Sequence, residues 1–339
     1  MASEQAKRPT PERIFSTLNA FHQSAALKAG IELDIFSAIA EGNTDVASIA
    51  KKSSAAERGV RNLCNALTAM EFLTKQDGRY GLTQESAIFL DRKSPAYLGK
   101  MSKFLLSDRS VKNFAGLTEA VRKGGTVSGA GDIEQPQDDF WVEFAKSMAA
   151  LAAPSAAFIA QLTGAREGKA CKVLDVAAGH GMYGITLAKQ NPNAQITALD
   201  WPNVLRVASE NARAAGLSDR FTTVEGSVFE ADLGKDYDYI LLTNILHHFG
   251  PPTCEKMLKR VHAALKPDGK AITLDFIPNE DRVSPTVPAI FTLVMLANTD
   301  HGDVYTFSEY QQMFKNAGFK RTTLHPIPDM PQQVLVSEK

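Results

Sequence analysis

Cysteine is scarce in this chain, with three in 339 residues: Cys64, Cys171 and Cys254. They lie far apart and lack metal-ligand spacing. That argues against a disulfide framework and a thiolate metal site, and fits reduced thiols in a cytoplasmic protein. Neither sign of charge prevails: 37 Lys and Arg face 38 Asp and Glu, a net charge of −1. No global field therefore draws nucleic acid or an anionic membrane. No apolar run approaches the ~20 residues that span a bilayer. The opening residues, MASEQAKRPTPER, carry no apolar signal core, so no secretory signal is expected. Internal repeats and low-complexity tracts are missing too. What is present is enough chain for two domains with cores of their own.

Residues 1–9 read as a tail. Ile14, Leu18, Phe21 and Ala25 recur at helical spacing, which predicts a helix over 11–29, followed by a second over 31–40. Asp45 is placed to cap a short helix through Lys51. Val60, Leu63, Leu67 and Met70 mark one face of a helix over 55–70. Asp77-Gly78, between Phe72-Leu73 and Tyr80-Gly81-Leu82, is a strong hairpin signal. Helices followed by a hairpin make a winged-helix pattern, which serves either DNA binding or association. Glu57, Arg58, Arg61 and Asn62 on the candidate recognition helix are thin for phosphate neutralisation. Residues 86–170 read as helical, with aromatic clusters at 104–106 and at Phe140, Trp141, Phe144 and Met148. Gly124-Gly125 and Gly129–Gly131 mark a mobile loop between them, and Pro154 a helix break or start.

From Cys171 strands and helices alternate. Strands are predicted near 172–176, 195–200, 221–225, 237–243 and 270–277, and helices near 183–190, 203–215, 253–265 and 307–317. Lys266-Pro267-Asp268-Gly269 reads as a turn before the fifth strand, and 319–325 with 332–337 as a closing hairpin. This is the pattern of one doubly wound α/β domain. Its most informative stretch is KVLDVAAGHGMYG at 172–184: a strand, a glycine turn, a helix start. Gly179-x-Gly181-x-x-Gly184 alone is a weak dinucleotide signal. Asp175 at the strand end argues against a pyrophosphate and suits a cationic ligand such as S-adenosylmethionine, with its ammonium and sulfonium. Asp200, ending the next strand, can accept both hydroxyls of a ribose.

On these residues the sequence from 171 to 339 resembles a class I S-adenosylmethionine-dependent methyltransferase. Together with Leu246-His247-His248-Phe249, the N-terminal half resembles the small-molecule O-methyltransferases, which include caffeate-type, hydroxyindole and bacterial natural-product enzymes. The resemblance implies a Rossmann-like seven-stranded sheet over 171–339, a winged-helix dimerisation domain over 1–100, and a helical linker over 101–170 that contributes to the acceptor pocket. It implies a homodimer, S-adenosylmethionine as cofactor and no metal. DNA and membrane are not expected partners. His247 matches the family's general base, His248 replaces an aspartate, and Asp275 matches one of two acids flanking the base. The other acid falls where this chain has Val304, with Asp303 out of register. Cofactor contacts are expected from Asp175, Gly179, Gly181, Asp200, Trp201, Asn244 and Phe249. Gly226-Ser227-Val228-Phe229 stands where the family has Gly-Asp and an apolar pair, so Ser227, Val228 and Phe229 are candidate adenine contacts. His180 would touch the methionine carboxylate or face solvent. Phe144, Met148, Phe291, Met295 and Asn298 are candidates for the acceptor pocket. O-methylation of a small molecule is the first reading. S- or C-methylation, and a non-catalytic cofactor- or DNA-binding regulator, are the alternatives. An NAD oxidoreductase is a more distant one.

Overall fold

The computed structural model describes residues 9–128 and 139–339. The Gly129–Gly131 part of the expected glycine loop, and residues 1–8 of the expected tail over 1–9, lie outside them. The chain divides into two compact units, 1–102 and 103–339.

The first unit is helical with one hairpin: α1 Glu12–Glu32, α2 Ile35–Ala40, α3 Val46–Lys52, α4 Glu57–Ala69, β1 Leu73–Gln76, β2 Arg79–Leu82 and α5 Gln84–Phe89. Asp45 caps α3 by accepting from the Ser48 amide. Asp77 and Gly78 both take positive φ, 51° and 76°, as a two-residue hairpin turn requires. The second helix starts later than its apolar pattern suggests. Asp34 adopts φ 56°, so α1 runs on to Glu32 and the chain turns before Ile35. Ile35, Phe36, Ile49, Leu67 and Tyr80 form this unit's core. By contrast Ile14, Phe15, Leu18 and Phe21 on α1 are exposed.

α6 Met101–Leu105 spans the boundary. Then follow α7 Asp108–Ala115, α8 Leu117–Lys123, α9 Asp139–Met148 and α10 Ala153–Leu162. Asp139–Leu162 is apolar and long enough, by length and composition, to cross a membrane, contrary to the expectation from the sequence. It is broken by a 3-10 turn at Ala149–Ala152, and Ala156, Ile159 and Ala160 are packed in the core of the sheet domain.

The sheet domain runs β3 Cys171–Val176, α11 Met182–Gln190, β4 Ala194–Asp200, α12 Pro202–Ala214, β5 Phe221–Glu225, β6 Tyr237–Thr243, α13 Pro251–Ala264, β7 Leu265–Phe276, α14 Thr286–Asn298, α15 Phe307–Asn316, β8 Arg321–Pro326 and β9 Gln332–Glu338. The seven strands lie in the order β5-β4-β3-β6-β7-β9-β8. β3 to β7 are parallel, and β9 is antiparallel to both β7 and β8. Lys266–Gly269 does not precede β7 as a separate turn. Leu265 pairs with Tyr237 and Lys270 with Tyr239, so four residues loop out within the strand. Side chains alternate across the sheet. Leu174, Val176, Ile240 and Leu242 pack towards Leu258, Val261, Tyr310 and Phe314 of α13 and α15. Val173 and Leu241 pack towards α10, α11 and α12. Each such buried aliphatic side chain contributes about 1.5–3 kcal/mol. The strand order reverses direction between β3 and β6, which leaves a crevice at their carboxyl ends.

Candidate active site

A cleft occupies that crevice, the place where open α/β sheets bind ligands. Its walls are the segments leaving β3, β4, β5 and β6, namely 176–180, 199–201, 226–229 and 243–245, with Trp141 and Phe144 of α9 alongside. Two non-glycine residues at the strand exits hold left-handed backbone, Ala177 (φ 53°) and Asn244 (φ 55°). Such conformations cost roughly 1–3 kcal/mol each and persist where the surroundings over-determine them. Asn244 is held by Gln332, whose amide donates to its Oδ1. Asp200 is anchored at both oxygens. Oδ2 accepts from the Gly179 amide at 2.8 Å and Oδ1 from the Trp201 amide at 2.7 Å. Burial pushes its carboxyl up to about 6, and the two amides oppose that rise.

These groups fit S-adenosylmethionine. The anchored Asp200 carboxylate keeps lone pairs for two ribose hydroxyls. The Phe229 and Phe249 rings, 5.4 Å apart at 88°, offer flat apolar walls beside Val228 for adenine. Ser227 Oγ, which accepts from the Phe229 amide at 3.2 Å, can still donate to a ring nitrogen. His180 is buried rather than solvent-facing. Burial pushes its imidazole down to about 4. Its Nδ1 accepts from the Met182 amide, so Nε2 carries the proton and serves as a donor in the cleft.

Several expected contacts lie elsewhere. Asp175 does not line the cleft. The period of two in β3 turns it to the face covered by α11, where its Oδ2 accepts from the Gly184 amide at 3.3 Å and its Oδ1 has no partner. Gly181 is also off the wall. A Cβ there would come within 3.1 Å of the Ala208 Cβ, so its smallness serves the packing of α11 on α12. Met148 and Met295 are not on the wall either. Asn298 is engaged by Asn113, whose amide donates to its Oδ1 at 2.8 Å.

His247 stands beside the cleft on a 3-10 turn, Leu246–His248, that leaves β6. Its Nδ1 lies 2.6 Å from Asp275 Oδ1, and both side chains are buried. A carboxylate only accepts, so Nδ1 carries the proton of this contact, and in the neutral imidazole Nε2 is the atom left with a lone pair. Phe291 meets the imidazole edge-on at 5.2 Å and stacks on Phe276 at 4.1 Å. Val304 is buried, and Asp303 pairs with Arg282, so neither supplies the second acid. Cys254 is no nucleophile. Its thiol donates to the Leu246 carbonyl, and burial pushes it up to about 12. Gln332 and Tyr310, the latter hydrogen-bonded to Asp275, are not among the residues the sequence points to. Each lies far along the chain from its partner, and pattern alone gives no sign of either pairing.

A family profile described as the O-methyltransferase domain matches residues 138–320, and one described as the O-methyltransferase dimerisation domain matches residues 15–92. The chain belongs to the O-methyltransferase family. A candidate O-methyltransferase from Nostoc punctiforme PCC 73102 is 48% identical, with a TM-score of 0.93, over 98% of this chain and all of that one. PigF with SAH is 27% identical with a TM-score of 0.86, covering 98% of this chain and 100% of its own. The 3-hydroxy-5-methyl-1-naphthoate 3-O-methyltransferase of Streptomyces sahachiroi is 28% identical over 303 residues, 87% of this chain and 86% of that relative. This O-methyltransferase is an enzyme that uses S-adenosylmethionine to methylate a hydroxyl of a small molecule. The cofactor supplies an activated methyl on a good leaving group, so the protein has to orient the acceptor and take its proton.

Proposed function

We propose that the acceptor is a phenolic hydroxyl on a planar aromatic molecule and that His247 removes its proton. The observation carrying this reading is the buried 2.6 Å contact of His247 with Asp275, which leaves Nε2 as the free base. A carboxylate-oriented imidazole is basic enough near neutral pH and becomes a stabilised cation once it takes the proton. The Phe276–Phe291 stack beside the imidazole is an apolar wall suited to an aromatic ring. The naphthoate relative, and the tetracenomycin polyketide synthesis 8-O-methyl transferase TcmO of Streptomyces glaucescens at 27% identity, point to acceptors of that kind. Asp200 is assigned to the ribose, Ser227, Val228, Phe229 and Phe249 to adenine, and His180 to the methionine carboxylate. Asn244, Gly179 and Trp201 shape the wall between them. Phe144 and Phe291 flank the acceptor.

A second reading, alongside the hydroxyl, is methylation of an activated carbon, with which Val304 in place of the second acid is compatible. Among the relatives are a bacteriochlorophyllide d C-20 methyltransferase of Chlorobaculum tepidum and an L-tyrosine C(3)-methyltransferase of Streptomyces lavendulae, each 26% identical. Our reading further includes a cytoplasmic homodimer, joined through a winged-helix module formed by residues 1–100. The dimerisation profile, the exposed apolar stripe on α1 and three unpaired cysteines support it.

A panel of hydroxynaphthoates, catechols, thiols and tyrosine, assayed for S-adenosylhomocysteine release with the methylated atom located by NMR, tests the acceptor class. Turnover on a phenolic oxygen is expected. Turnover confined to carbon or sulfur would overturn the reading.

A further inference from the structure

The segment from Asp303 to Tyr310 holds the position where the family resemblance implies a second acid, yet none of its carboxylates reaches His247. Asp303 and Glu309 both turn to Arg282. What reaches the pair is a phenol. The Tyr310 hydroxyl donates to Asp275 Oδ2 at 2.8 Å. Asp275 Oδ1 takes the His247 Nδ1–H at 2.6 Å and the Phe276 amide at 2.8 Å. Tyr310 and Asp275 are both fully buried.

We propose that Tyr310 is a positioning residue for methyl transfer, its hydroxyl standing in for the absent acid by fixing Asp275 and thereby setting the orientation and basicity of His247. This rests on His247 being the base. A carboxylate that accepts one more hydrogen bond is a weaker base. Tyr310 therefore reduces the pull of Asp275 on an imidazolium and lowers the basicity of His247. It also holds the carboxylate plane, so Oδ1 stays in line with Nδ1. Burial, with Asp275 adding to it, pushes the Tyr310 hydroxyl well above its ordinary value, so it remains a donor throughout the working range.

The other titratable groups around the pair are neutral near pH 7. His248, 4.4 Å away ring to ring on the same turn, is held well below its ordinary value by burial and by His247. Cys254 on α13 and Tyr305, whose ring meets Tyr310 edge-on at 5.7 Å, are both pushed up by burial. Among the described residues, Asp275 is thus the charge that His247 meets directly. Tyr305 acts on the backbone instead. Its hydroxyl donates to the Phe249 carbonyl at 2.6 Å and pins the turn that carries His247.

The test is kcat against pH for full-length Tyr310→Phe on a phenolic acceptor that stays protonated across the range, with S-adenosylhomocysteine affinity measured alongside. The acid limb of the profile is expected to move to higher pH, while cofactor-product affinity stays at the wild-type value. Tyr305→Phe, which loses the bond to Phe249 and not one to Asp275, is expected to leave the limb in place. Should Tyr310→Phe not fold, a fluorinated tyrosine at position 310 keeps the shape and donates more strongly, so the limb moves down instead. An unmoved limb in either folded variant overturns the proposal. His247→Ala on the same acceptor separates the two failures. If it retains wild-type turnover, the base reading itself falls. If turnover is lost while the Tyr310 limb is unmoved, Tyr310 alone is misassigned.

Discussion

Asp175 is a carboxyl group that forms no ion pair among the described residues. It is fully buried, takes one amide hydrogen bond and leaves Oδ1 unpaired. Burial raises its carboxyl from 3.8 to about 8, and the Asp200 charge adds to the rise. Between those two values the folded chain keeps a proton that the unfolded chain has released, so raising the pH favours unfolding. Urea unfolding from pH 5 to 8 is expected to show stability falling with pH, and Asp175→Asn to flatten that slope. An equal slope in both proteins would mean that Asp175 is ionised when folded. Residue type and position in the strand are legible in the sequence. The side of the sheet that Asp175 faces depends on what packs over β3, and that side moves it from the ligand to the underside of α11. Asp200, one strand over, ends its strand with both oxygens bound by amides of the following loops, and it lines the cleft.

The turn carrying His247 is fixed by what lies against it. Gly302 packs so closely that a Cβ would fall 2.5 Å from the His247 carbonyl oxygen and 2.6 Å from Thr299 Oγ1. Backbone cannot yield as a side-chain tip can. Gly302→Ala is therefore expected to displace the turn, costing about 1–3 kcal/mol of stability and lowering turnover, with S-adenosylhomocysteine affinity unchanged. Chemical denaturation and calorimetry check the two parts separately. Strands, crossover helices and the closing hairpin are legible because apolar runs of strand length alternate with helical periods. Lys266–Gly269 misleads because a Pro-Asp-Gly sequence signals a turn equally well inside a bulged strand. Asp275 and Tyr310 are 35 residues apart, and their meeting depends on α15 packing over β7, which local pattern does not encode.

The exposed stripe of Ile14, Phe15, Leu18 and Phe21 on α1 falls largely within the region matched by the dimerisation profile, and an apolar face of this kind marks an association surface. Leu18→Glu is expected to give monomer or weakened dimer in sedimentation velocity. An unchanged dimer would place association elsewhere. The proposed association surface and the proposed base lie on different elements, so each can be tested without the other. A positioned base contributes ~10²–10⁴-fold in rate. The deciding measurement is the turnover of His247→Ala against wild type on a hydroxynaphthoate, at a pH where its hydroxyl is protonated. With His247 as the base, a loss of at least ~10²-fold is expected, with S-adenosylhomocysteine affinity unchanged. Wild-type turnover in His247→Ala would contradict it, leaving proximity of acceptor to cofactor as the whole of the catalysis.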